Sequence, residues 1–273
     1  MRADNLIIVS LGIAAFAVAV VWVARWGSLP VHRSAAPEGS AFASAAWSLA
    51  AVLSAGAVAG AVVGGLLARL VMRIAAGVSP ELVQGRVTEA DENIGEVTFG
   101  GTMGIIVFVG LGAGILAAIV YLVARPWLPV TARAAGVIIG IIVMGVIGPA
   151  DPIDPDNIDF ELLSYDSLTV GLILGGAVVF GLAFAALAAR FDVAAQGTSP
   201  YRWLLFGGFL ILVFVPLAVA AAVYLAGRTL FPGKLRAVLE RRGPQVAGRV
   251  LLSLVVVAMV GRLALVSWEI IRG

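Results

Sequence analysis

Ala43-Ser-Ala-Ala-Trp-Ser-Leu-Ala-Ala-Val-Leu-Ser-Ala-Gly56-Ala-Val-Ala-Gly60-Ala-Val-Val-Gly64-Gly-Leu-Leu-Ala-Arg69-Leu-Val71 carries no charge before Arg69. A helix rising ~1.5 Å per residue needs ~20 apolar residues to cross a ~30 Å hydrocarbon core, so this stretch reads as a membrane span with length to spare. Gly56, Gly60 and Gly64 recur every fourth residue within it. That spacing places them on one helix face, where the missing side chains let a second backbone come close.

The pattern repeats along the chain. Apolar runs between charged or Pro/Gly-rich breaks cover 6–23, 43–71, 102–123, 130–150, 168–189, 203–226 and 250–271. Seven such runs with short connections predict an all-α, polytopic transmembrane helical bundle, a single domain over 1–273. The first run is long for the apolar part of a signal peptide, and Val23-Ala-Arg25-Trp26 offers no small-residue cleavage site. In the fourth run Arg133 leaves only 134–148 clear of charge, so a tilted or broken span is expected there.

Composition agrees. The chain is 61% apolar and 12% charged, with a mean hydropathy of +1.07. A water-facing domain carries about 25% charged residues, so this chain cannot cover such a surface. The same figures exclude a disordered chain, and a net charge of +2 gives no basic face for nucleic acid. Without cysteine there is no disulfide, thiolate metal site or iron–sulfur cluster. The single histidine, His32, leaves no paired-histidine haem site, no zinc-protease motif and no credible Ser-His-Asp triad. No cofactor, metal or nucleic-acid partner is expected. All basic residues but Lys234 are arginine, the usage of a GC-rich bacterial genome.

Three connections carry information. Residues 85–98 place β-branched residues around the polar Glu89–Asn93 region, predicting a small extramembrane β-hairpin. Residues 149–166 hold Asp151, Asp154, Asp156, Asp159, Glu161 and Asp166 and no basic residue. Residues 232–243 set Leu235, Val238 and Leu239 among Lys234, Arg236, Arg241 and Arg242. This last segment reads as a short basic surface helix that starts at Pro232 and is capped by Gly243. Raw counts of basic residues over seven spans favour a cytoplasmic N-terminus, whereas Arg125, Arg133 and Arg190 at one end of three adjacent spans favour an N-terminus outside. The second arrangement is the expectation, and it leaves the basic loop before the last span against the rule.

Charge inside a span is costly and marks function by default. Arg262 lies well within the last run, and its guanidinium requires a carboxylate, backbone carbonyls or water. It is read as a structural anchor first, then as a snorkelling side chain, then as a solute contact. Arg69 and Arg73 stand one turn apart at the end of the second run, suited to headgroup phosphates or to an anion site shared with Arg86. No acidic residue lies deep in a span, which argues against proton-coupled transport. In the acidic loop, Asp154-Pro-Asp156-Asn-Ile-Asp159-Phe-Glu161 lacks the glycine and ligand order of an EF-hand, so turns and caps explain it equally well.

The glycine spacing recurs at Gly100/Gly104, Gly110/Gly114, Gly136/Gly140 and Gly171/Gly175. Helix packing is the expected use, self-association the alternative. Gly110-Leu-Gly112-Ala-Gly114 is not a dinucleotide loop, since no strand precedes it and its third glycine comes too early.

The run from Asp154 to Leu163 leading into an apolar span, with Phe99-Gly-Gly-Thr102 opening another, resembles polytopic membrane proteins of GC-rich bacteria. That resemblance implies no activity. The expected role is therefore non-enzymatic, in the bacterial cytoplasmic membrane, through helix association and recognition of lipid or a membrane partner. The alternative is a transporter or channel for a small anionic or lipid-like solute, using Arg262, Arg69 and Arg73.

Overall fold

The computed structural model describes residues 3–31, 41–78, 85, 98–150, 152–157, 160, 166–194, 226 and 241–272. Along the chain run α1 (Ala3–Trp26), α2 (Ala41–Ala59), a π-helical turn (Gly60–Gly65), α3 (Leu66–Val78), α4 (Phe99–Gly104), a second π-helical stretch (Ile105–Leu111) and α5 (Gly112–Ala124). They are followed by α6 (Ala132–Ile147) with a 3₁₀ turn (Gly148–Ala150), α7 (Asp166–Ala194) and α8 (Arg242–Arg272). The π segments join α2 to α3 and α4 to α5, so each of these pairs is one continuous span. Among the described residues six helices are long and apolar enough to cross a membrane, the architecture of a multi-pass membrane protein. The isolated bridge between Pro30 and Thr131 is the only extended pairing among them.

Close contacts fix the direction of each span. Gly56 faces Gly114 and Gly60 faces Gly110, so α2 and α5 are antiparallel. Gly136 meets Gly181 and Gly140 meets Ala177, which makes α6 and α7 antiparallel as well. On α8, Gly248 lies against Trp127, Met259 against Gly145 and Leu263 against Gly148, so α8 runs parallel to α6. The end of α1 is tied to the start of α6 by Val31 N–H to Val130 O (2.8 Å), Ala132 N–H to Leu29 O (3.0 Å) and Arg133 N–H to Gly27 O (2.9 Å). One end of the bundle thus gathers Trp26, Arg125, Arg133, Arg190 and Arg242; this is the basic end. The other, where Asp154, Asp156 and Asp166 lie, is the acidic end.

The six described spans alternate in direction, and the described residues do not show the expected count of seven. Ala194 ends α7 and Arg242 begins α8 at the same basic end. The expected span 203–226 itself lies outside the described residues, apart from Ala226. So does the expected hairpin, apart from Gly85 and Thr98. Gly243 is not a helix C-cap: it sits in the first turn of α8, just before Pro244. Proline is well tolerated there because first-turn N–H groups have no intrahelical partner. The fourth span is unbroken, since Thr131 caps α6 by accepting from Ala134 N–H and Arg133 points outward from the first turn.

The main core is small-residue packing around α7. From Phe180 to Ala189 nearly every α7 residue is buried, five of them alanines. Alanine lets neighbouring helices approach on all faces, with Phe184 edge-on to Tyr121 at 5.7 Å filling the remaining width. A smaller core of Met144, Ile153, Val170, Leu263 and Ile270 seals the acidic end.

Candidate functional site

At the centre of the bundle two helices touch backbone to backbone. A Cβ built on Gly56 or Gly60 would collide with the carbonyl oxygen of Gly114 or Gly110, and the same holds in reverse. These glycine Cα–H groups therefore point at carbonyl oxygens of the facing helix, a weak but recurrent interhelical contact. The two π-helical segments lie at this crossing, where a Cβ on Gly65 would sit 2.9 Å from the Ile106 Cα. π-Helical turns are rare and concentrate where helices depart from plain packing. Gly64 is looser, with Gly110 Cα at 3.2 Å. Gly100, Gly104, Gly171 and Gly175 would meet nothing within 4 Å. Spacing alone did not separate the used pairs from the unused ones.

Arg69 lies past the π turn on α3 and is buried, at 8% exposure. Its Nε donates to Thr102 Oγ1 at 3.3 Å. Thr98 caps α4 by accepting from Gly101 N–H at 2.9 Å, and Thr102 Oγ1 donates back to Thr98 O at 2.8 Å. The hydroxyl hydrogen is thereby committed, which leaves a lone pair for Arg69. Arg73, one turn on, is half-buried.

Arg262 has a different partner. Its Nη1 donates to Gly145 O at 3.1 Å. In a regular helix that carbonyl would accept from residue 149, but Pro149 has no N–H. The guanidinium thus fills an acceptor that the sequence itself vacates. Since α8 packs on α6 and α7 while Arg69 lies between α3 and α4, the three expected arginines do not converge on one site.

In the acidic loop, Asp154 Oδ1 accepts from Asp156 N–H at 3.0 Å, a local turn. Asp151, Asp159 and Glu161 lie outside the described residues. Among the described residues no three His, Asp or Glu side chains come together to hold a metal.

The densest polar contact is one the sequence reading did not single out. Arg125, at the end of α5, pairs with Asp192 on α7, donates Nη1 to Ser48 Oγ on α2 at 2.7 Å and Nε to Val31 O at 3.2 Å, and lies 5.8 Å from the Tyr121 ring. One planar guanidinium joins α2, α5, α7 and the α1–α2 connection, a task suited to its fork of donors. Its trace in the sequence was Asp192, an acidic residue at a span end whose neighbours all end in arginine. No protein-family model, curated protein or solved structure matches the chain.

Proposed function

We propose that the chain is a non-enzymatic membrane scaffold that recognises lipid or a membrane partner through its two charged ends. The observation that carries this reading is the backbone contact of Gly56 and Gly60 with Gly114 and Gly110, which leaves no room for a solute between those two helices. The polar groups lie towards the ends. Arg25, Arg125, Arg133, Arg190, Arg241, Arg242 and Arg249 all belong to the basic end, which supports placing that end on the side of the membrane that keeps positive charge. By the positive-inside rule that end is cytoplasmic and both termini lie outside, in the cytoplasmic membrane of a bacterium.

The test is flux. Proteoliposomes loaded with chloride or a small organic anion should retain it as well as protein-free vesicles do. Protein-dependent release would establish the alternative, a transporter or channel, and would make the Arg125–Asp192 contact its most natural gate.

A further inference from the structure

We propose that the basic end holds the phosphate of an anionic phospholipid between Arg190 and Arg133, beside Trp26. This deepens the scaffold reading, whose lipid recognition it makes specific.

Three guanidiniums surround the last turn of α1. Arg25 belongs to that turn and is exposed. Arg133, from the start of α6, donates Nε and Nη2 to Val23 O and Nη2 to Ala24 O, each at 3.4 Å. Arg190, from α7, lies over the Trp26 ring at 5.9 Å. No carboxylate bonds to any of the three among the described residues; Asp192, two residues beyond Arg190, is held by Arg125.

The contacts these arginines make leave donors over. Long bonds to helix-terminal carbonyls leave Arg133 Nη1 available, and a ring contact near the ~6 Å limit uses none of the N–H groups of Arg190. Two guanidinium edges can then share the oxygens of one phosphate in charge-assisted hydrogen bonds. Basic clusters between helices on the cytoplasmic side are suited to anionic headgroups.

A lipid fits better than free phosphate because the site sits at a span end above uncovered apolar surface. Phe16, Val18, Val20 and Val21 of α1 are all exposed, the nearest of them five residues below Trp26. An acyl chain can lie against part of that apolar surface when the headgroup is at Arg190, with the indole at the level where tryptophan normally marks the membrane boundary.

The protein is placed in phosphatidylcholine nanodiscs with increasing phosphatidylglycerol, and retained lipids are counted by native mass spectrometry. Arg133→Gln with Arg190→Gln should lower the retention of phosphatidylglycerol relative to phosphatidylcholine several-fold. Arg272→Gln, which removes a guanidinium stacked on Trp268 at 4.4 Å at the opposite end, should not. Wild-type preference in the double variant overturns the proposal, and so does displacement of phosphatidylglycerol by millimolar inorganic phosphate. If the double variant does not fold, Arg190→Gln alone decides, because among the described residues no hydrogen bond or ion pair to Arg190 is lost with it. Solute flux in proteoliposomes would refute the scaffold reading while leaving this lipid preference intact.

Discussion

Gly145 and Pro149 stand four apart on one helix, and the consequence is measurable at a single hydrogen bond. Arg262→Leu should cost ~1.5–3 kcal/mol, the usual range for a bond with a charged donor, read as lowered thermal stability in detergent. Pro149→Ala restores an N–H that can reach Gly145 O, so the same substitution should cost clearly less in that background. Equal losses in both backgrounds would show that the carbonyl contact contributes nothing. The Gly145/Pro149 vacancy was legible in the sequence, but its occupant was not, because nothing local says that α8 lies against α6. Asp192→Asn should cost about 2–3 kcal/mol, somewhat below the ~3–5 of a fully buried pair, since the two side chains keep 18% and 15% exposure. Arg125→Lys should recover little of its partners' stability, for an ammonium cannot serve Asp192, Ser48 and Val31 at once. A lysine variant as stable as the parent would show that the fork is unused.

Among helices, glycine divides into two classes that share one sequence pattern. Gly60→Ala puts a methyl group against the Gly110 carbonyl and should destabilise the bundle by ~1–3 kcal/mol, as overpacking does; Gly60→Leu should cost more. Gly104→Ala meets open space and should be neutral or gain ~0.5–1 kcal/mol through helix propensity. Melting curves of the two alanine variants in the same detergent check this, and indistinguishable curves would remove the crossing from the account. The four-residue period is visible in the sequence in both cases. Which glycines touch depends on the register between spans distant along the chain, such as Gly56 with Gly114, and the period carries no information about it.

For the molecule as a whole, the described spans require both termini to lie on the side of the acidic loop. In this cysteine-free chain, Asp156→Cys and Arg272→Cys should respond alike to a membrane-impermeant maleimide, and Ser28→Cys should respond oppositely. A seven-span arrangement separates Asp156 from Arg272 and would give them opposite labelling. Membrane class and six of the spans were legible because crossing a bilayer demands long apolar runs; the seventh expected run, 203–226, lies outside the described residues apart from Ala226. Direction is set by contacts instead. The parallel pairing of α8 with α6, seen where Gly248 meets Trp127 and Gly148 meets Leu263, has no counterpart in hydropathy.

α7 is almost wholly buried from Phe180 to Ala189 and packs mainly against α1, α2 and α6, all made before it. During synthesis α1 and α2 enter the membrane long before the axle they pack against exists. α2 can meet α5 at the Gly56–Gly114 crossing, and α1 can meet α3, before α7 exists to fill the space they share. A ribosome stalled before α7 would therefore leave the glycine crossing formed around an unfilled core, a half-built bundle rather than a set of separate helices.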